Sequence, residues 1–197
     1  KVVGMDMINE TSFYYVVEDT SASPYPQLYH YNINTKKNTY RGTLEVNIGN
    51  AADMAYDAKN KLIYVASGFY VYQFEESKVQ TTGITYHSAA FDSTLAGISL
   101  PAVHAVTCKD GMVYFLANNN KNKLYRMDDH FKNLTLVREI AVNTVSGKSE
   151  MAYNSKTGTF YLTDATDKLY SFKETGDITP IDILADGVDI NGITIKP

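Results

Sequence analysis

Large apolar and polar side chains alternate along this chain in short runs, and the runs recur in phase. Phe13-Tyr14-Tyr15-Val16-Val17, Leu62-Ile63-Tyr64-Val65-Ala66, Val113-Tyr114-Phe115-Leu116-Ala117 and Phe160-Tyr161-Leu162-Thr163-Asp164 place Tyr15, Tyr64, Tyr114 and Tyr161 at spacings of 49, 50 and 47 residues. A second set keeps the same phase: Leu28–Tyr31, Val71–Phe74, Leu124–Met127 and Leu169–Phe172, with tyrosine second in each. Alternation with a period of two predicts half-buried strands. A third set lies about ten residues before the first tyrosines: Gly4–Met7, Asp53–Tyr56, His104–Thr107 and Glu150–Tyr153. Its small and apolar residues suit strands packed near a central axis. A fourth set, Thr43–Val46, Gly83–Tyr86, Val137–Ile140 and Pro180–Ile183, completes a four-stranded unit.

Four short strands in about 48 residues are the signature of a propeller blade. The expected fold class is therefore all-β, a β-propeller of four-stranded blades. The blades span about 3–50, 52–100, 102–148 and 149–188, in a single domain. Residues 189–195 read as one extra inner strand. The arc is then either part of a longer propeller or a closed set of four. An open arc exposes two edges and would let two chains pair as a homodimer.

The chain has 197 residues, a net charge of −4 and a pI near 5.5. With no basic stripe, a nucleic-acid partner is not expected. No run of about 18 apolar residues occurs, so no membrane insertion is expected. The single cysteine, Cys108, excludes an internal disulfide and reads as a small, part-buried hydrophobe. Abundant Tyr, Asn and Thr without Trp suggest an exported bacterial protein, extracellular or at the cell surface.

The unit Met54-Ala55-Tyr56-Asp57, then Leu62-Ile63-Tyr64-Val65-Ala66-Ser67, then Val71-Tyr72-Gln73-Phe74, resembles the broad YWTD/SMP-30/YVTN-like class of propellers. It is most similar in character to propeller segments of bacterial cell-surface proteins. The resemblance covers the whole chain at the level of the fold. The nearest match to the YWTD tetrapeptide is Tyr161-Leu162-Thr163-Asp164. The resemblance implies binding or scaffolding, with a protein or a glycan as partner and no cofactor.

Chemistry on a propeller sits on its axis or its face loops. The first positions of the third set are Gly4, Asp53, His104 and Glu150, expected at one height around the axis. As channel lining they need no ligand. As a metal site, Asp53, His104 and Glu150 would hold one divalent cation, Ca or Mn. That alternative is a metal-dependent hydrolase or lactonase of SMP-30-like type. Tyrosines that recur in every blade serve packing, so partner contacts are sought where the repeat breaks. These are Tyr25 in the Thr20–Pro26 insertion, Tyr86, His87 and Phe91 in the Thr81–Pro101 connection, and Asn119 in the Asn118–Asn122 loop. The expected function is a non-catalytic binding or scaffold propeller that tolerates Asp53→Ala and Glu150→Ala.

Overall fold

The structure is a computed structural model that describes residues 1–19, 21, 23–46, 51–96, 103–118, 122–142, 149–164, 166 and 168–181. Residues 189–195, expected as an extra strand, lie outside these.

Blade one is built from β1 (Val2–Asn9), β2 (Ser12–Val17), β3 (Gln27–Asn32) and β4 (Lys37–Leu44). Blade two holds β5 (Ala51–Asp57), β6 (Leu62–Ser67) and β7 (Tyr70–Glu75), then a 3-10 turn at Glu76–Lys78, β8 (Ile84–Thr85) and β9 (Ala89–Asp92). Blade three comprises β10 (Val103–Lys109), β11 (Met112–Asn118), β12 (Asn122–Asp128) and β13 (Thr135–Ile140). Blade four comprises β14 (Met151–Asn154), β15 (Thr159–Thr163), β16 (Leu169–Phe172) and β17 (Thr179–Ile181). Each blade is an antiparallel meander, and successive inner strands β1, β5, β10 and β14 pack side by side. The fold is the expected all-β propeller of four-stranded blades.

Hairpins are set by short polar side chains that fold back on the backbone after a strand. Asn9 Oδ1 accepts the N–H of Thr11, Asn32 Oδ1 that of Thr35, and Asp57 Oδ1 those of Lys59 and Asn60. Asn154 repeats the Asp57 pattern with Lys156 and Thr157. In these last two turns the left-handed backbone falls on Lys61 (φ 57°) and Gly158 (φ 68°), the same position in each unit.

Two features depart from expectation. The outer strand of blade two is β9, not Gly83–Tyr86. Instead, Ile84 and Thr85 leave their own blade and pair in parallel with Thr43 and Leu44 of blade one. This gives blade one a fifth strand. Gly42 makes room for the chain that leads into it, since a Cβ there would lie 2.3 Å from the Gln80 carbonyl oxygen.

The second departure is a phase error of one residue. Tyr14, not Tyr15, is equivalent to Tyr64 and Tyr114. Tyr14 pairs with Asp6 and His30, Tyr64 with Ala55 and Gln73, and Tyr114 with Thr107 and Arg126. A slip of one residue turns a side chain to the other face of the sheet. Tyr14, Tyr64 and Tyr114 all face the next blade and are buried, whereas Tyr15 faces away from the arc.

Three apolar cores fill the junctions between consecutive blades. Tyr14, Val16 and Leu28 of blade one meet Met54, Ile63, Val65 and Phe74 of blade two. Tyr64, Ala66 and Phe91 meet Val113, Phe115 and Met127, and Tyr114, Leu116 and Leu124 meet Phe160, Leu162 and Phe172. Among the described residues no core cluster joins blade four to blade one. Among the described residues the four blades are therefore joined in a row by three cores.

Candidate functional site

The axis has two ends, and the polar groups at each are largely committed to holding blades together. At the start of the inner strands, Asp53 is fully buried in blade two. Its Oδ1 accepts the N–H of Met54 at 2.8 Å. Its Oδ2 accepts those of Val106 in blade three and Met151 in blade four, both at 3.0 Å. One carboxylate thus ties three blades. Burial first, and the Glu150 charge second, push the Asp53 carboxyl well above its ordinary range, against the pull of the three N–H donors. Asp6 plays a similar part between blades one and two. It accepts the N–H of Met7 and, across the junction, that of Tyr56, each at 2.8 Å.

The expected ring of Gly4, Asp53, His104 and Glu150 is broken at His104. Each of the first three inner strands carries an irregularity, between Val2 and Gly4, Ala51 and Asp53, and Val103 and Ala105. The register therefore aligns Asp53 with Gly4 and Ala105, while His104 occupies the extra, unpaired position of a bulge. Among the described residues no group of three or more His, Cys, Asp or Glu side chains is arranged to hold a metal ion. Asp53 is occupied by backbone donors, and His104 stands out of line with it.

His104 is buried, and both its ring nitrogens lack a hydrogen-bond partner among the described residues. Burial holds its imidazole below the ordinary range. The folded protein therefore takes up a proton at His104 less readily than the unfolded chain. Its contribution to stability is complete above about pH 6.5, the unfolded value, and declines as the pH falls below it. Asp53, raised, works in the opposite sense. His104→Leu is expected to narrow the gap between urea midpoints measured at pH 7 and pH 5.5. A gap as wide as in the wild type would assign the acid sensitivity to other groups.

At the other end of the inner strands lies a cleft of about 160 Å³, bordered by Asp6, Tyr56, Thr107, Cys108, Lys109 and Tyr153. All four blades contribute, and several waters fit. The Cys108 thiol is pushed well above its usual range by burial and by the nearby Asp6 and Asp57 charges. It is a thiol and not a thiolate, and so a poor nucleophile. Lys109 is paired with Glu174 and lies over the rings of Tyr114, Tyr153 and Phe160.

Two carboxylates clasp neighbouring blades, and sequence reading missed both. Glu76 accepts the hydroxyls of Tyr14 at 2.5 Å and Tyr56 at 2.7 Å. Glu174 accepts that of Tyr114 at 2.8 Å, along with the Lys109 ammonium. Glu76 and Glu174 occupy the same repeat position, two residues after Phe74 and Phe172. Blade three has the shorter Asp129 there, and the Tyr64 hydroxyl is met by Gln73 of its own blade at 3.2 Å. The Gln73 amide also donates to the Asp129 carbonyl, bridging to blade three. Blade one has Ile33 at this position.

The residues expected to contact a partner are scattered. Phe91 is a core residue, ring to ring with Phe115 and Phe131, and so is not on the loop surface. Tyr25 is half-buried, and its N–H is bonded to Ser23 Oγ. Asn119 lies outside the described residues. His87 packs edge-on against Tyr72, and its Nδ1 lies 2.9 Å from a Glu45 carboxylate oxygen. Tyr86 is 70% exposed, between that anchored histidine and strand β8.

No protein-family model matches the chain, and no characterised protein matches it in sequence. Solved structures do. A chain of the nidogen/laminin complex superposes with a TM-score of 0.63 at 11% identity, over 98% of this chain and 68% of that one. A structural genomics protein of unknown function from Bacteroides thetaiotaomicron VPI-5482 superposes with a TM-score of 0.59 at 15% identity, over 91% of this chain and 42% of that one. At these identities the likeness is one of fold. The blades, their junctions and these similar structures define a β-propeller.

Proposed function

We propose that the chain is a non-catalytic binding propeller that contacts a protein or a glycan through exposed loop side chains. The observation that carries this reading is Tyr86, a large aromatic that is 70% exposed on a rigid support. On one side, Ile84 and Thr85 are hydrogen-bonded to blade one. On the other, the His87 ring packs edge-on against Tyr72. An aromatic side chain on backbone that is already held loses little backbone entropy when a partner covers it, which suits a binding anchor. Asp53 and Asp6, by contrast, accept backbone N–H groups across blade junctions. A protein partner gains support from the similar propeller in the nidogen/laminin complex, and the composition fits an exported bacterial surface protein.

The test is a binding screen of the purified chain against defined glycans and extracellular matrix proteins, laminin included, repeated with Tyr86→Ser. The variant is expected to keep the wild-type melting temperature and to lose at least tenfold in affinity for any ligand found. Undiminished binding by Tyr86→Ser would move the contact elsewhere on the molecule.

A further inference from the structure

Each junction in the arc uses the same four positions of the following blade. In blade two these are Ile63, Val65, Tyr72 and Phe74, in blade three Val113, Phe115, Tyr125 and Met127, and in blade four Phe160, Leu162, Tyr170 and Phe172. All pack against the preceding blade. In blade one the same positions are Phe13, Tyr15, Tyr29 and Tyr31. They are only half-buried, and no core cluster of described residues lies on them. The rings are nonetheless ordered into a ladder. Tyr15 and Tyr29 stack at 5.3 Å and 18°, Phe13 leans on Tyr15 and Tyr31, and Tyr40 meets Tyr29 edge-on. Blade four shows the complementary lack. Tyr161 takes the position of Tyr14, Tyr64 and Tyr114, faces away from blade three, and makes no hydrogen bond to a described residue.

We infer that the outer faces of blades one and four are junction faces, each covered by a further propeller blade in the polypeptide as its source makes it. The covering element is a propeller sheet because these positions continue the three interfaces already present. Four blades spread over 68% of the similar chain in the nidogen/laminin complex leave room for about two more. A second copy of this arc docked head to tail fits poorly. It would set the Tyr161 hydroxyl against Ile33, whose side chain has no acceptor, where at two of the three junctions Glu76 and Glu174 receive the corresponding tyrosines. The blade on blade four is expected to carry a carboxylate at that position. The blade on blade one is expected to present an apolar residue to Ile33.

Two measurements test this together. The first is the intact mass of the polypeptide isolated from its source with antibodies raised against the chain. It is expected to exceed 22.0 kDa by about 10 kDa or more, the mass of two blades. The second is tyrosine nitration, followed by peptide mass spectrometry, on that polypeptide and on the isolated 197-residue chain. Tyr15, Tyr29 and Tyr31 are expected to react at least tenfold more slowly in the source polypeptide. A 22.0 kDa polypeptide from the source overturns the inference, and if it is a dimer with these tyrosines protected, the face belongs to a second copy. Equal nitration rates in a longer polypeptide overturn it as well.

Discussion

Asp53→Ala is expected to unfold the propeller or bring it close to unfolding. The substitution orphans the N–H groups of Met54, Val106 and Met151 at a fully buried site shared by three blades. A buried donor left without an acceptor costs about 1–3 kcal/mol. Three of them approach the whole stability of an ordinary domain, about 5–15 kcal/mol. Asp53→Asn is expected to recover only part of the loss, because an amide offers one acceptor oxygen and turns its own N–H toward a donor. Circular dichroism melts of the two variants rank the effects. An Asp53→Ala protein melting within a few degrees of the wild type would show that water or a neighbouring group replaces the carboxylate. A side chain with these partners is expected not to show the tolerance of a channel-lining residue.

Gly4→Ala is expected to loosen blade one from blade two. A Cβ on Gly4 would stand 2.4 Å from the Met54 nitrogen and 2.8 Å from the Asp53 carbonyl carbon. These are backbone atoms of the neighbouring inner strand, so no rotamer change relieves the clash. Overpacking a close contact of this kind costs about 1–3 kcal/mol. The strain falls where Asp6 also crosses to the Tyr56 N–H. Hydrogen exchange is expected to show faster opening in β1 and β2, with β11 and β15 unchanged. An unaltered melting temperature and exchange pattern would mean that the inner strands shift apart without penalty.

The propeller was legible because each strand writes its own pattern. Tyr64 and Tyr114 sit in runs whose alternation has one natural phase, and their positions follow. Tyr14 and Tyr15 are adjacent tyrosines, so either could head the column, and spacing alone selected the wrong one. His104 shows a different limit. A bulge inserts one residue without any mark in the composition, so a column read at constant spacing placed an imidazole where Ala105 belongs. The strand at Ile84–Thr85 was seen, but its partner was not, because pairing with another blade is decided by the course of the chain beyond the segment. Phe91 falls in a loop by its sequence pattern for the same reason. Once Ile84 and Thr85 leave, the next apolar alternation, Ala89–Asp92, becomes the outer strand and turns Phe91 inward. The clasping carboxylates could have been found. Phe74-Glu75-Glu76 and Phe172-Lys173-Glu174 match in two blades, and an acid held at a fixed distance from a repeated aromatic is a signal in itself.

The parallel pairing of Thr43 with Ile84 bears on the order in which the molecule is made. During synthesis from the amino end, blade one emerges before blade two, yet the strand that closes its outer edge belongs to the stretch after β7. Until that stretch appears, β4 presents a free edge able to pair with another nascent chain. Blade one is therefore finished only when most of blade two has been translated. The first half of the arc is expected to mature as one unit of two blades.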